Sequence, residues 1–256
     1  MPRSAVRFDA LERRCHLTAV AFEVDSKLSS LTITASARVD DVGSVKLGSQ
    51  EDGLDTANYG GTLLADVSSK GVKFNGGSEI NAIEHAGSFS PGSGPAAYAL
   101  DGKVKKIITL AEVEAAVRDL QLDITNSSRK KIVGDKRRFQ MHRGEITVTR
   151  GAVDYELDSK FGDAEGSESL DGQKTDLQTS HGRITGKKGS RVLTVPIVVK
   201  YTRELENGVD GVFTFKGQIV GREKSSPTAQ AATFSAKPIE AKQRDDDDRV
   251  ASQLAL

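Results

Sequence analysis

The fold of this chain is decided by two stretches, Leu193-Thr-Val-Pro-Ile-Val-Val-Lys-Tyr201 and Phe213-Thr-Phe-Lys-Gly-Gln-Ile219. In each stretch an apolar side chain recurs at every second position, which is the period of a β-strand with one buried face. The segment between them, Glu204-Leu-Glu-Asn-Gly-Val-Asp-Gly211, is rich in the residues that form hairpin turns. We therefore predict an antiparallel strand pair. The residues predicted to point into the core together are Val195, Ile197, Val199, Phe213, Phe215 and Ile219.

Further strands are predicted outward from this pair. Pro196 has no backbone N–H, so its strand should lie at a sheet edge or be bulged there. Between residues 146 and 157 the alternation changes parity across Gly151, which is typical of a β-bulge or a short turn. Residues 25–30 read as a turn, and residues 75–103 and 158–190 read as Gly- and Ser-rich loops. The other alternating segments are Val20–Val24, Leu31–Val39, Leu63–Val67 and Val72–Phe74.

One short helix is predicted near residues 109–118. Thr109 and Glu112 have the spacing of a capping box. Leu110, Val113 and Val117 then recur at helical spacing. Because apolar residues alternate from residue 120 onward, we expect the helix to give way to a strand near Arg118.

The composition excludes several classes of protein. The 256 residues include 36 Lys plus Arg and 36 Asp plus Glu, so neither sign of charge is in excess to attract nucleic acid or an anionic membrane. The single cysteine excludes an internal disulfide bond and a cysteine-rich metal site. No apolar run approaches the roughly 20 residues that a membrane-spanning helix needs.

The chain divides into three segments by its patterning. Residues 1–18 show no alternation and form an arm or an export tag, and residues 19–222 form a single β-rich domain. Residues 223–256 are polar and acidic, and we expect them to be a disordered tail. The predicted fold class is all-β, a mainly antiparallel sandwich or barrel with one short helix.

No catalytic, cofactor-binding or metal-binding residue is assigned from the sequence. A nucleophile needs an adjacent oriented base, and the only cysteine, Cys15, lies in the N-terminal arm. The histidines have no paired metal-ligand spacing and are read as surface residues; they are His16, His85, His142 and His181. The acidic clusters are read as solvated, although they could bind Ca²⁺ weakly; they are Asp40-Asp41, Asn207–Asp210 and Asp245–Asp248.

The densest basic cluster comprises Arg129-Lys-Lys131 and Lys136-Arg-Arg138. Only Phe139 lies nearby, so the interleaved aromatic residues of a single-strand nucleic-acid binder are missing. The favoured interpretation is a solvated loop beside a strand. Contact with an acidic polysaccharide or another cell-surface polymer stays open.

The N-terminus carries a pattern of its own, Phe8-x-x-Leu11-Glu12-x-Arg14 followed by Leu17-Thr-Ala19. This pattern resembles the export tag common on planctomycete extracellular proteins, and Cys15 and His16 depart from it. The resemblance implies export and processing near Ala19.

The body also resembles a β-rich domain that often follows such tags, and no enzyme activity comes with that resemblance. The segments that carry it are Phe22–Asp25, Ser29–Thr32, Tyr59–Thr62, Gly76–Ile80, Val117–Asp123 and Phe215–Val220. A fainter similarity, through Val24, Asp25, Ser29 and Leu31, is to YceI-like lipid-binding β-barrels.

These observations predict an exported, non-enzymatic structural or binding protein of the cell surface or extracellular space. Its expected partner is a cell-surface polymer or a small apolar ligand, and neither nucleic acid nor a spanned membrane is expected. The first alternative is a small-ligand or lipid carrier with a barrel interior. The second is a carbohydrate-active enzyme.

Overall fold

A computed structural model describes residues 19–39, 43–105, 109–160, 162–205 and 209–224. Within these residues every regular element is a β-strand, and no helix is long and apolar enough to cross a membrane. The strands are β1 (Val20–Val24), β2 (Ser30–Val39), β3 (Gly43–Ser49), β4 (Thr56–Ser68), β5 (Gly71–Lys73), β6 (Glu79–Ile83), β7 (Tyr98–Lys105), β8 (Thr109–Asn126), β9 (Arg138–Gln140), β10 (Gly144–Ser159), β11 (Ala164–Ser169), β12 (Lys174–Asp176), β13 (His181–Thr185), β14 (Val192–Leu205) and β15 (Val209–Glu223).

All of these strands belong to one antiparallel sheet, which confirms the all-β prediction. Its order is β11-β10-β8-β7-β3-β2-β4-β1-β15-β14-β13-β9, with β12 on β10, β5 on β4, and β6 between β4 and β8. Strands β1 and β2 do not pair with each other. Both pair with β15 and with β4, so they follow one another along the same two neighbours. Residues 25–29 form the predicted turn, with the backbone N–H groups of Leu28 and Ser29 bonded to the carbonyl of Asp25, and the chain then continues along the same two neighbouring strands.

The predicted strand pair forms as expected. Val195 lies opposite Ile219, and Val199 lies opposite Phe215, in an unbroken ladder between β14 and β15. Five of the six residues predicted to point inward are buried, and Phe213 is partly buried against the same core. The ladder between β14 and β13 ends at Thr194. Pro196 thus lies just beyond that ladder, where its missing N–H breaks no bond to β13.

The sheet curls around one interior in a barrel-like arrangement. Strand β12 pairs with β10, and the chain after β12 reaches β14, where the backbone N–H of Gln178 donates to the carbonyl of Val198 at 3.0 Å. The Thr175 hydroxyl also donates to the carbonyl of Lys200 at 3.2 Å. These bonds join the two sides of the sheet, so the inward faces of the strands enclose the core.

The predicted helix at residues 109–118 is wrong, because this segment is the first half of β8. Ala111, Val113, Ala115 and Val117 are all buried, so the true period is two. The alanines conceal that period when only the larger apolar residues are counted. Glu112 does not cap a helix; it lies opposite Lys103 of β7 and forms an ion pair with it.

The parity change at Gly151 is a β-bulge, as predicted. The register between β10 and β8 shifts on both sides of Arg150, and Gly151 has a φ of 154°, which favours glycine. Strand β8 changes parity at the same level, where Asp119 has a φ of 53°. Both strands of the long β8–β10 pair therefore keep their apolar side chains on the one face that packs in the core.

The structure changes two further expectations. The segments predicted as loops contain β6 and most of β7 in the first case, and β11, β12 and β13 in the second. The described domain runs to Lys224, two residues past the predicted boundary, because the Glu223 side chain is bound inside it. The proposed tag at residues 1–18 and the tail from residue 225 lie outside the described residues.

Candidate basic cleft

The sequence predicts the histidines as surface residues, and the three that the structure describes lie apart in the fold. His85 Nε2 lies 3.0 Å from the carbonyl of Thr56, and His142 and His181 are exposed. No group of three or more His, Cys, Asp or Glu within the described ranges could hold a metal ion. Cys15 and His16 lie outside those ranges, as do all or part of the three acidic clusters named above.

The basic cluster of residues 129–138 lies beside two short strands, β5 and β13. Lys130 forms an isolated bridge with Val72 of β5. The chain then turns back between Val133 and Arg138, which form an isolated bridge, and enters β9. In β9, Phe139 lies opposite Gly182 of β13. The chain thus brings the loop after β13 next to a cluster some fifty positions earlier in the sequence.

These segments border a cleft of about 540 Å³, which we call the basic cleft. Four of its side chains are cationic and one is anionic, and no aromatic residue lines it. Its lining residues are Val20, Asp66, Val67, Ser68, Ser69, Arg137, Gly186, Lys187, Lys188 and Arg191.

Two of the charged residues in the lining are already paired. The Asp66 carboxylate forms an ion pair with Arg129, which also donates to the carbonyl of Gly71 at 3.2 Å. Arg191 forms a two-point ion pair with Glu223, and both side chains are almost fully buried. The other three cations of the lining have no ion-pair partner among the described residues, so their charge is available to a ligand. They are Arg137, Lys187 and Lys188.

The Glu223 carboxylate also holds the loop that carries the two lysines. Its Oε2 accepts the backbone N–H of Gly189 at 2.9 Å and that of Arg191 at 3.1 Å. These bonds and the Arg191 guanidinium hold the pKa of Glu223 down, to about 2. The loop starts at Gly186, whose φ is 79° and where an added Cβ would lie 2.4 Å from the carbonyl of Ser190. The loop is therefore fixed in place by a buried charge.

A hydrogen bond also links the two segments that border the basic cleft. Arg137 Nη1 donates to the carbonyl of Gly186 at 3.0 Å, and both residues line the cleft. The Arg137 guanidinium is therefore held beside the loop that carries Lys187 and Lys188.

The zero net charge of the chain conceals an uneven distribution of charge along the sequence. Segments 129–138 and 183–188 together contain nine Lys or Arg residues and one acidic residue, Asp135. Segment 154–171 contains seven Asp or Glu residues and one Lys. The two segments that supply Arg137, Lys187 and Lys188 to the basic cleft are therefore rich in positive charge.

The interior of the sheet holds a second, smaller space of about 60 Å³ between β2, β8, β10, β14 and β15. Elsewhere the interior is filled by large side chains such as Tyr59, Tyr98 and Phe22, all fully buried. An engineered apolar cavity of about 150 Å³ binds benzene, so this space is too small for the chain of a lipid.

Comparison with protein-family models, curated proteins and solved structures finds no match to this chain. Function is therefore inferred from the geometry of these two sites.

Sequence reasoning found half of the basic cleft and missed the other half. The cluster at residues 129–138 is visible in the sequence as a run of charge. The sequence predicts Lys187 and Lys188 as part of the loop at residues 158–190, gives Arg191 no role, and places Glu223 at the start of the tail. The dense lysine and glycine content of residues 186–189 was the available signal, but nothing in the sequence alone places it beside Arg137.

Proposed function

We propose that this chain is an exported, non-enzymatic binding protein that holds an acidic polysaccharide in the basic cleft. The observation that carries the proposal is a set of three cations, Arg137, Lys187 and Lys188, which have no ion-pair partner within the described part of the chain and line one cleft of about 540 Å³. Carboxylate and sulfate groups are the anions that such a polymer presents. Arginine and lysine bind them through charge-assisted hydrogen bonds.

The cleft has the size and the rigidity of a binding site. Its volume lies within the range of about 300–1,000 Å³ that ligand sites occupy. The lysine loop is held by the buried Glu223 carboxylate, so less conformational entropy is lost on binding than for a free loop. This arrangement favours a specific site over general surface charge.

The chemistry of the cleft favours a polysaccharide over a nucleic acid. Single-stranded nucleic acids are held by stacking of bases on aromatic side chains. The described residues that line the cleft include no aromatic side chain, and the nearby Phe139 is fully buried. The interior cavity, at about 60 Å³, gives less support to the alternative of a lipid carrier.

The exported location rests on the resemblance at Phe8–Ala19. Fractionation of the native host, with the mature N-terminus read by mass spectrometry, tests it. We expect a secreted or surface-bound protein that starts near Ala19. An intact N-terminus on a cytoplasmic protein would contradict export and leave the binding site to be tested separately.

Binding is tested with dextran sulfate and polygalacturonate as probes, and with neutral dextran as the uncharged control. We expect both acidic polymers to bind and neutral dextran not to bind. Replacing both Lys187 and Lys188 with Gln should weaken binding roughly tenfold, because exposed charge pairs contribute about 0.5–1 kcal/mol each.

The matched control variant replaces Lys46 and Lys216 with Gln. Both are exposed lysines on strands β3 and β15, and neither lines the cleft. This variant removes the same charge, so equal weakening by the two double variants would show nonspecific attraction and overturn the site. Tighter binding of single-stranded DNA than of dextran sulfate would overturn the choice of polysaccharide.

A further inference from the structure

We propose that the hydroxyl of Ser68 selects the anion that the basic cleft binds, and that it favours sulfate half-esters over carboxylates. This inference rests on the proposed function, since it concerns which acidic polysaccharide the same cleft takes. Ser68 is half-buried at the end of β4 and lines the cleft, so its side chain is open to a ligand there.

Both lone pairs of the Ser68 hydroxyl are already occupied. Its oxygen accepts one hydrogen bond from Arg129 Nη1 at 3.0 Å and another from the backbone N–H of Lys70 at 3.2 Å. A serine hydroxyl has two acceptor lone pairs and one proton to donate. Because guanidinium and amide groups can only donate, Ser68 can bind a further group only through its proton.

The proton of Ser68 is left for a ligand in the cleft. Among the residues that the structure describes, none accepts a hydrogen bond from this hydroxyl. Arg129 and Lys70 are not part of the cleft lining, so their bonds reach the oxygen from outside the cleft and leave its proton on the cleft side. The positive charge of Arg129 also polarises the O–H bond, which makes the hydroxyl a stronger donor.

Ser68 is held near the cations of the cleft by its neighbour in the chain. It directly follows Val67, whose carbonyl accepts the Nη1 of Arg191 at 3.0 Å, and Arg191 follows the loop that carries the two lysines. Arg137 is held to the same loop by its bond to the carbonyl of Gly186. The cleft therefore combines one neutral donor with cationic donors that come from two other segments of the chain.

A sulfate half-ester matches donors from three segments better than a carboxylate does. The three terminal oxygens of a sulfate group spread around the sulfur atom, so the serine, the arginine and a lysine can each bind a different oxygen. A carboxylate has two oxygens, and their acceptor directions lie near one plane. We therefore expect the serine proton to find an acceptor of its own in a sulfate and to add little to the binding of a carboxylate.

The test uses dextran sulfate and carboxymethyl dextran of equal chain length and equal substitution, which share a backbone and a charge density. Both are titrated into the full-length protein at one salt concentration, and their affinities are measured by calorimetry. We expect dextran sulfate to bind roughly fivefold more tightly than carboxymethyl dextran. In the Ser68→Ala variant, the affinity for dextran sulfate should fall roughly fivefold, and that for carboxymethyl dextran should change by less than about twofold.

Two control variants separate the loss of a hydrogen bond from damage to the cleft. Ser68→Thr keeps a hydroxyl at this position and should keep the preference for sulfate. Ser36→Ala removes another half-buried serine hydroxyl, on β2 and outside the cleft lining, and should leave both affinities unchanged. In Ser68→Ala, Arg129 keeps its ion pair with Asp66 and its bond to the carbonyl of Gly71, so this wall of the cleft should stay in place.

The outcomes distinguish this inference from the proposed function on which it rests. Equal affinities of the unmodified protein for the two polymers would overturn the sulfate preference and leave the proposed function standing. The role of Ser68 is also overturned if Ser68→Ala binds dextran sulfate as tightly as the unmodified protein, or if Ser68→Thr loses the preference as Ser68→Ala does. Absence of binding to both polymers would overturn the proposed function and this inference with it.

Discussion

Arg191 and Glu223 form a buried two-point ion pair that joins the start of β14 to the end of β15. The distances from Nε to Oε2 and from Nη2 to Oε1 are both 2.7 Å, and the two side chains are 8% and 6% exposed. The third donor of Arg191, Nη1, reaches the carbonyl of Val67 on β4 at 3.0 Å. The guanidinium carbon also lies 6.0 Å from the centre of the Phe22 ring. One buried charge therefore ties together three strands and the loop of the basic cleft.

Replacing Glu223 with Gln should lower the free energy of unfolding by about 3–5 kcal/mol, because it leaves the Arg191 charge buried without its partner. Urea denaturation measures this loss. Amide exchange at Gly189 and Arg191 should also become faster, since their N–H groups lose a charged acceptor. The control is Asp25→Asn, which breaks the pair with the exposed Arg222 and should cost less than about 1 kcal/mol. Equal losses in the two variants would contradict the structural role of Glu223.

The same carboxylate predicts a loss of stability in acid. Arg191 and the two backbone N–H groups lower the pKa of Glu223 from 4.5 to about 2 in the folded protein. Because the folded pKa is below the unfolded one, the stabilisation is present above pH 4.5 and is lost as the pH falls towards 2. The difference in urea midpoint between the unmodified protein and Glu223→Gln should therefore shrink across that window. A difference that stays constant down to pH 2 would contradict the lowered pKa.

The buried tyrosines predict a matching loss of stability in alkali. Burial raises the pKa values of Tyr59, Tyr98 and Tyr201, the last to about 12. Their folded pKa values exceed the unfolded value of 10.0, so their stabilisation is complete below pH 10 and is lost at higher pH, for Tyr201 as the pH rises through about 12. In a Tyr155→Phe background, the tyrosinate absorbance of the three should appear together with loss of the folded circular dichroism signal. Ionisation of all three near pH 10 in a folded protein would contradict their burial.

Phe215 should contribute far more to stability than its neighbour Thr214. Phe215 packs between Tyr98 and Tyr201, so its replacement by Ala should cost about 3–5 kcal/mol. Thr214 points to the other face of β15, and Thr214→Ala should cost less than about 1 kcal/mol. Urea midpoints of the two variants compare them directly. If the midpoints shift equally, the inward face of β15 is misassigned.

Elements of the fold could be predicted from the sequence where their pattern lies within one stretch of the chain. The pair β14–β15 was predictable because β-branched and aromatic residues alternate without interruption over both strands. The bulge at Gly151 was predictable because the change of parity is visible within residues 146–157. The first half of β8 was misread because its inward face includes Ala111 and Ala115, which carry little hydropathy signal. Short strands such as β11, with Ala164-Glu-Gly-Ser-Glu-Ser169, have no apolar face at all, and they are strands because β10 lies beside them.

The basic cleft was harder to predict, because it depends on which distant strands pair and in which register. The pairing of Phe139 with Gly182 brings Arg137 beside the loop at Lys187 and Lys188.

The most direct test of the basic cleft compares the salt dependence of dextran sulfate binding between the unmodified protein and the variant in which Lys187 and Lys188 are both Gln. If the cations of the cleft hold the polymer, the affinity of the unmodified protein should fall steeply as sodium chloride is raised, because each ion pair that forms releases condensed counterions. The slope should be shallower in the Lys187/Lys188 variant and unchanged in the Lys46/Lys216 control variant. Equal slopes in all three proteins, or no binding at low salt, would contradict the assignment of the cleft as a site for an acidic polysaccharide.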